Sequence, residues 1–322
     1  MLGVDVGGTM TAAGIVSESG EVLVDEVSPT HPSGPGSAIP TILGLIEKVR
    51  GRGLALGRDV VGIGVGVPGP VDVVSGRISE HVPHVPELAE QPLASMLAER
   101  FGIPAFVDND CNALALAEWM FGAGRGTRSM VLLAPGTGFG TGIVLEGRLV
   151  RGAHGYGAEL GHAPVKFDGP RCWCGGRGCL ALYASGRGLA DAARIVADAP
   201  RGVALRDAAG GDIAAITAPL VFRLADAGDR AATALVDEAC QALGAMIGTV
   251  VNGLNPEVIV LTGGVTESLR PRRARILEAA AEYAFRRALE ATRIVFVPGD
   301  KRVTMRGAAA LVLYETRQEG SP

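Results

Sequence analysis

The sequence predicts an α/β protein with an internally duplicated fold, in which two α/β domains enclose a cleft. Short apolar strands alternate with helical patterns along the chain, and two stretches each begin with a glycine-bearing β-hairpin, one at residue 2 and one near Ser129. The 322 residues suffice for about two ordinary domains. A content of 48% hydrophobic and 20% charged residues is typical of a globular protein with a sizeable core.

The first half of the chain begins directly in a strand. Its expected elements, in order, are a hairpin from 2–16 into 21–24, a helix at 38–50, a strand at 60–67, a helix at 88–101, a strand at 105–107 and a helix at 112–121. Polar residues 108–110 stand between that last strand and helix, and α/β proteins tend to bind ligands at such strand-to-helix corners.

The second half repeats the opening pattern and then becomes mainly helical. Its expected elements are strands at 130–134 and 143–146 with a turn into 149–150, helices at 187–197, 213–227 and 230–252, a strand at 257–261, a helix at 272–289, a strand at 294–297 and a helix at 306–316. We expect an N-terminal domain at 1–118, completed by a C-terminal helix at about 304–322, and a larger domain at 119–303.

Charge and hydropathy exclude several classes of protein. The net charge is −4, and the short basic run at 270–275 is most simply a solvated helix face, so nucleic acid is not an expected partner. No apolar run reaches about 18 residues, and no basic segment followed by an apolar one opens the chain. We expect a cytoplasmic protein with reduced cysteines and no membrane partner.

Four residues between positions 162 and 179 form a candidate metal site. His162, Cys172, Cys174 and Cys179 are three thiols and one imidazole, the closed tetrahedral set that structural zinc prefers. Unbound thiols or a disulfide are the alternatives. Three cysteines within eight residues argue against the first, and a chain with five cysteines and no export signal argues against the second. A loop held by a zinc ion would also keep Glu159 in place.

Glycine-bearing turns at strand ends predict a nucleotide triphosphate site. Glycine lets backbone N–H groups approach a polyphosphate, a threonine adds a hydroxyl donor, and Asp5 could hold Mg²⁺ through water. Each turn alone could equally be only a tight turn. The sequence has no GxxxxGK[ST] motif. The turns contain Asp5, Gly7, Gly8 and Thr9; Gly136, Thr137, Gly138, Gly140 and Gly142; Pro68 and Gly69; and Gly263 and Gly264.

Asp110 is the candidate catalytic base, because phosphoryl transfer to an alcohol needs a carboxylate near the attacking hydroxyl. Asp108 and Asp110 alternate along an extended segment, so only one of them is expected to face the cleft. Asn109 and Asn112 carry amides suited to sugar hydroxyls. Helix capping by Asp110 or Asn109 is the alternative interpretation.

The sequence resembles the ROK family, named for repressors, open reading frames and sugar kinases. The matching strings follow the family's order and span nearly the whole chain: DVGGTMTAAG, GVGVPGPVD, DNDCNALALAE, APGTGFGTGI, GYGAELGHAPV, CWCGGRGCLALYASG and NPEVIVLTGG. This resemblance implies an actin-like, ribonuclease-H-type fold, ATP with Mg²⁺ as phosphoryl donor, and a hexose phosphorylated at its 6-hydroxyl. It also implies a homo-oligomer, either a dimer or a tetramer.

The resemblance also implies residue roles. Asp110 matches the catalytic base, and His162 would bind both the sugar and zinc. The sugar-contacting positions are Gly69, Asn109, Asp110, Glu159 and His162. The phosphate and nucleotide positions are Asp5, Gly7, Gly8, Thr9, Gly136, Thr137, Gly138, Gly263 and Gly264.

Two departures from the family pattern leave the sugar open. Ala181 stands where the family usually has a sugar-binding glutamate, and His81 replaces a common asparagine. Loss of a charged hydrogen bond would weaken glucose binding about 10- to 150-fold unless Tyr183 or water replaces it. The other interpretation is an altered sugar, such as an aminohexose or one modified at C1 or C2.

Two other functions compete with a kinase. A sugar sensor without kinase activity would explain the change at position 181, although Asp5, Asn109, Asp110 and Glu159 argue against it. A transcription regulator of the family would carry a DNA-binding segment before the first phosphate motif, and only four residues precede Asp5 here. The sequence leaves open whether the phosphoryl donor could be other than ATP.

Overall fold

The computed structural model describes residues 1–80, 82 and 84–319, and this part of the chain contains twelve strands and twelve α-helices. The strands are β1 (Leu2–Val6), β2 (Met10–Val16), β3 (Val22–Pro29), β4 (Ile63–Val67), β5 (Val71–Asp72), β6 (Arg77–Ile78), β7 (Ala105–Asn109), β8 (Met130–Pro135), β9 (Phe139–Leu145), β10 (Arg148–Leu149), β11 (Val258–Leu261) and β12 (Arg293–Phe296).

The α-helices lie in both halves of the chain. They are α1 (Ala38–Ala55), α2 (Leu93–Phe101), α3 (Asp110–Phe121), α4 (Ala181–Ala184), α5 (Gly186–Ala197), α6 (Val203–Ala208), α7 (Ala218–Asp226), α8 (Arg230–Leu254), α9 (Thr266–Leu269), α10 (Arg273–Tyr283), α11 (Arg286–Ala291) and α12 (Lys301–Glu319).

The chain divides into two compact units. The first contains Met1–Arg128, Gly142–Ala158 and Asp300–Pro322, and the second contains Ser129–Thr141 and Glu159–Gly299. The boundaries therefore fall at other residues than the expected 118/119, since 119–128 and 142–158 group with the first unit.

The first unit is built on a five-stranded sheet with the order β3-β2-β1-β4-β7. Strands β1 to β3 are antiparallel neighbours, whereas β1, β4 and β7 run parallel and end together at one edge. Asp5 is the register partner of Gly66, which in turn is the partner of Asp108. Three adjacent strands thus deliver the first phosphate turn, the Gly69 turn and the Asp110 corner to the same edge, where open α/β sheets bind ligands.

Helix α12 completes the first unit from the far end of the chain by packing on β1, β4 and α3. Glycines make this close packing possible. A Cβ atom on Gly64 would lie 1.7 Å from the carbonyl oxygen of Ala308, and one on Gly3 would lie 2.1 Å from that of Met305. Only a residue without a side chain allows the helix backbone to approach the sheet so closely.

The second sheet has the corresponding order β10-β9-β8-β11-β12, which confirms the predicted duplication. β11 runs parallel to both β8 and β12. The second unit adds α4 to α11, of which α8 is long and apolar enough to cross a membrane by composition. Its most apolar window is 67% buried within the protein, as expected for a core helix.

Among the elements that differ from the sequence prediction, two are divided at a point where a polar interaction holds the backbone. The predicted strand 2–16 is two strands, because a turn closed by the Gly7 N–H and the Met10 carbonyl (3.0 Å) separates them. The predicted helix 272–289 is α10 and α11. The Asn252 side chain donates to the Tyr283 carbonyl (2.7 Å) and accepts from the Phe285 N–H (2.9 Å), so it binds the backbone between them.

Candidate active site and metal-binding loop

The first phosphate turn is held by a residue that the sequence analysis did not single out. The Thr30 hydroxyl donates to the Gly7 carbonyl (2.6 Å), and the Thr30 N–H donates to the Thr9 carbonyl (2.9 Å). Asp5 is half-buried at the end of β1, just before this turn. Thr30 follows the third strand, so its role becomes visible only once the strand register is known. The first phosphate turn is therefore held by Thr30, a residue outside the turn's own sequence motif.

His84 is a second residue that the sequence analysis missed. Its backbone is left-handed (φ +68°), and a Cβ atom on Gly8 would lie 2.6 Å from the His84 Cβ. The absence of a side chain on Gly8 is thus required by the segment that contains His84. The neighbouring His81, predicted to replace the family's asparagine, lies outside the described residues.

Asp108 and Asp110 have different surroundings, as their alternation predicts. Asp108 is only 2% exposed, and its Oδ1 atom accepts from the Asn109 N–H (2.7 Å) and the Asn112 amide (2.8 Å). Asp110 is half-buried at the first position of α3. Burial raises the pKa of the Asp110 carboxyl, although hydrogen bonds from Cys111 oppose this effect. Asp110 is therefore a stronger base than an ordinary aspartate.

Asn109 caps α3 and also holds the Gly69 turn. Its Oδ1 atom accepts from the Cys111 N–H (2.8 Å), and its Nδ2 atom donates to the Gly69 carbonyl (3.1 Å). Gly69 has φ +90°, a conformation that favours glycine. The capping interpretation of Asn109 is thus correct, and its sugar contact remains a prediction. Gly69, Asn109 and Asp110 come together at the carboxyl edge of β4 and β7.

The second phosphate turn, in the second unit, packs against the start of α5. The Gly136 N–H donates to the Gly138 carbonyl (3.0 Å) within the turn. The N–H groups of Gly186 and Arg187 donate to the carbonyls of Gly136 (2.8 Å) and Thr137 (3.0 Å). A Cβ atom on Gly136 or Gly138 would meet no protein atom within 4 Å. Neither packing nor a left-handed backbone therefore explains these glycines, whereas close approach of a nucleotide would.

The turn after β11 adjoins the second phosphate turn. The Val265 N–H donates to the Pro135 carbonyl (3.0 Å), and a Cβ atom on Gly263 would lie 2.7 Å from that same oxygen. Gly263 also has φ +107°, so its role is structural. A Cβ atom on Gly264 would instead meet open space. The structure thus separates the two glycines that the sequence motif treats alike.

The four predicted zinc ligands converge in the second unit. One potential ligand atom from each of His162, Cys172, Cys174 and Cys179 lies within 4.8 Å of the others. The Cys174 and Cys179 sulfurs are 3.7 Å apart, and the Cys172 sulfur is 3.6 Å from His162 Nδ1. All five cysteines of the chain are free thiols, contrary to the disulfide alternative. Burial and the two neighbouring cysteines raise the pKa of Cys179 to about 12.

The same loop positions Glu159 and His162 next to β9. The Leu160 N–H donates to the Thr141 hydroxyl (3.1 Å), and the His162 N–H donates to the Glu159 carbonyl (3.0 Å). Burial lowers the pKa of His162, which favours the neutral imidazole that metals bind. Because Nδ1 faces the cysteines, Nε2 is the ring nitrogen that can serve a sugar. Glu159 is exposed.

Trp173, between two of the cysteines, links the metal loop to α5. The Arg187 guanidinium lies 4.5 Å from the centre of the Trp173 ring, and His162 meets that ring edge to face at 6.2 Å.

Tyr183, a predicted substitute for the missing glutamate, is buried. Its hydroxyl has no hydrogen-bond partner among the described residues, and a Cβ atom on Gly169 would lie 2.4 Å from it.

Similarity to glucokinases and to solved ROK kinase structures shows that the chain is an ATP-dependent sugar kinase with the actin-like fold. The chain belongs to the ROK family, whose family model matches residues 1–315. It is 33% identical over 313 residues to a glucokinase of Thermotoga maritima, which covers 97% of this chain and 96% of the relative.

Two solved structures have a similar fold over nearly the whole chain. A ROK hexokinase from Thermus thermophilus superposes with a TM-score of 0.85 at 33% identity, covering 99% of both chains. A ROK glucokinase from Streptomyces griseus, in complex with glucose and AMPPNP, has a TM-score of 0.72 at 30% identity, covering 97% of this chain and 98% of the other.

Proposed function

We propose that the protein transfers the γ-phosphoryl group of ATP to the 6-hydroxyl of a hexose, with Asp110 as general base. The observation that carries this proposal is the position of Asp110. It begins α3 at the sheet edge where β1 presents Asp5 and the first phosphate turn, and its basicity is raised by burial. Similarity to glucokinases and a hexokinase supports a hexose acceptor.

In this mechanism ATP with Mg²⁺ supplies the phosphoryl group and neutralises its charge. Asp110 accepts the proton of the sugar hydroxyl at a carboxylate oxygen as the new bond forms. Asp5 would hold Mg²⁺, and the backbone of the glycine turns would donate hydrogen bonds to the phosphates. The Gly136 N–H is already used within its turn, so the donors there are the peptide groups that follow it.

The acceptor sugar is a glucose-like hexose, and the region of C1 and C2 is where its identity is decided. Ala181 is buried at the start of α4 and offers no polar group. The Tyr183 hydroxyl lies against Gly169, which gives no support to its replacing the glutamate. A sugar that does not need a charged acceptor there, such as an aminohexose or a C1- or C2-modified hexose, is therefore as suitable as plain glucose.

We also propose that the metal loop binds one structural zinc ion. Tetrahedral zinc with Zn–S bonds of about 2.3 Å and Zn–N bonds of about 2.0 Å requires S–S and S–N separations of roughly 3.8 and 3.5 Å. The observed 3.7 and 3.6 Å fit this requirement. Three neighbouring thiols also need a cation before all can ionise. His162, Cys172, Cys174 and Cys179 would hold zinc and thereby orient His162 Nε2 and Glu159.

A cytoplasmic location and a homo-oligomer, either a dimer or a tetramer, belong to the same proposal. Free thiols in every cysteine are consistent with a reducing compartment.

The test is an ADP-release assay with a panel of hexoses and aminohexoses, with and without Mg²⁺. Wild-type protein should turn over at least one sugar only with Mg²⁺. Asp110→Asn should reduce kcat by several orders of magnitude while sugar binding, measured by calorimetry, is largely kept. Asp59→Asn, an exposed aspartate of the same unit, is the matched control. Sugar binding without turnover by the wild type would indicate a sensor instead.

A further inference from the structure

Arg151, which follows β10 and belongs to no sequence motif, lies between two carboxylates. Its Nε and Nη2 atoms are both 2.7 Å from Asp108 Oδ2, and Nη2 also donates to Glu315 of α12. The Arg151 side chain is 15% exposed, that of Asp108 2% and that of Glu315 23%. The three charged groups thus form a largely buried network within the first unit.

Asp108 connects this network to the start of α3. One of its oxygens receives Arg151, and the other receives the Asn109 N–H and the Asn112 amide. Those two partners flank Asp110 in the sequence. A carboxylate whose two oxygens both accept hydrogen bonds has a fixed orientation. It therefore also fixes the position of the backbone that donates to it.

Arg151 is itself held in place by its neighbours. The Tyr314 ring lies 5.3 Å from the guanidinium carbon, and the Tyr314 hydroxyl accepts from the Leu149 N–H (2.9 Å). The Arg151 carbonyl accepts from the Gly157 N–H (2.8 Å). Tyr314 and Glu315 are adjacent in α12, so the C-terminal helix contacts Arg151 both through a ring and through a charge.

We propose that Arg151 is a positioning residue for the catalytic base, tying Asp108 to Glu315 so that α12 sets the geometry at which Asp110 meets the sugar hydroxyl. This inference rests on the proposed function of Asp110. Arginine is suited to the task, because its planar fork can contact two carboxylates at fixed angles, which a lysine ammonium cannot. Displacement of a reacting group by about 1 Å can cost about 100-fold in rate.

The experiment compares Arg151→Lys and Glu315→Gln with wild-type protein and with Arg302→Met. Arg302 is the matched control, because it also lies in α12 and pairs with a carboxylate of the same unit, Asp25 (3.1 Å), but does so on the surface. We expect Arg151→Lys to lower kcat about 10- to 100-fold, with KM for sugar and ATP within about threefold of wild type. Glu315→Gln should show a smaller loss of the same kind.

Hydrogen exchange supplies a readout that does not depend on activity. Backbone amides of residues 105–121 should exchange faster in Arg151→Lys and Glu315→Gln than in Arg302→Met. The inference is overturned if either folded variant keeps kcat within twofold of wild type with unchanged exchange, or if Arg302→Met shows the same losses. If Arg151→Lys does not fold, Glu315→Gln decides by the same criteria.

The two proposals fail in different ways. If wild-type protein phosphorylates no sugar, the proposed function fails, and the exchange of residues 105–121 still decides whether Arg151 holds this corner. If the wild type is active and Asp110→Asn is not, while either folded network variant keeps kcat with unchanged exchange, only the positioning role of Arg151 fails.

Discussion

Asp108 and Asp110 show how two identical side chains, two residues apart, acquire different tasks from their surroundings. Asp108 is enclosed by hydrogen-bond donors, which stabilise its charge and commit it to structure. Asp110 is half-buried and has fewer hydrogen-bond donors, and its desolvation raises its pKa. A carboxylate whose desolvation is not fully offset by hydrogen bonds lowers the stability of the protein and is a stronger base. This combination is common at catalytic positions.

The raised pKa of Asp110 predicts that Asp110→Asn stabilises the protein at neutral pH. Because the folded pKa of Asp110 lies above its unfolded value, the stability linked to this group is present below the unfolded pKa and is lost as pH rises through the folded pKa. Asparagine does not ionise and avoids that loss. In thermal melts without ligand, Asp110→Asn should therefore have a higher Tm than wild type at pH 7.5, and the difference should shrink towards pH 4. Asp59→Asn, at an exposed position of the same unit, is the control, and a pH-independent difference for Asp110→Asn would contradict this prediction.

At the scale of elements, periodicity predicted most helices and strands, whereas individual polar contacts decided where some of them end. The long helix α8 follows its apolar stripe, and its predicted range of 230–252 is close to the observed Arg230–Leu254. The break between α10 and α11 depends on Asn252, about 30 residues away in sequence, so no local pattern could reveal it. The same limit applies to the site, where Thr30 and Arg151 act through strand register and tertiary contacts.

Gly138 and Gly263 lie in neighbouring turns of the second unit, and we expect the first to serve nucleotide binding and the second to serve stability. Gly138→Ala adds a methyl group to open space, so we expect an unchanged free energy of unfolding and a KM for ATP raised at least about tenfold, because the methyl group occupies the nucleotide's approach. Gly263→Ala should instead destabilise the fold by about 1–3 kcal/mol, since its backbone is left-handed and crowded by Pro135. Denaturant unfolding and ATP titrations measure both. Equal destabilisation by the two substitutions would refute this division.

The metal loop should lose its structure when its ion is removed. We expect one zinc per wild-type chain by elemental analysis, none in Cys174→Ser, and one in Cys240→Ala, whose cysteine is buried in α8 outside the cluster. Since metal binding contributes folding free energy, a chelator should lower the Tm of wild type and Cys240→Ala. It should also change the fluorescence of Trp173, which contacts His162. A Tm that is unaffected by chelation would contradict the proposed structural zinc ion.

For the whole molecule, the last helix of the chain is a component of the first unit. Its packing on Gly3 and Gly64 means that the first unit is incomplete until the C-terminal residues are present. The sequence analysis expected this completion, although periodicity identifies a helix without showing what it packs against. The chain's two tryptophans, Trp119 and Trp173, lie one in each unit and can report on each separately.

This distribution allows a test of how the units depend on α12. Gly64→Ala places a methyl group 1.7 Å from the Ala308 carbonyl oxygen, so it should destabilise the first unit by about 3 kcal/mol or more, because neither backbone can yield cheaply. Gly44→Ala, in an open position of α1, should be neutral or stabilising by up to about 1 kcal/mol. In a Trp173→Phe background, where Trp119 is the fluorophore, Gly64→Ala should move the urea midpoint strongly. In a Trp119→Phe background the shift seen by Trp173 should be smaller. Equal shifts for both tryptophans would mean that α12 stabilises the entire chain rather than the unit it completes.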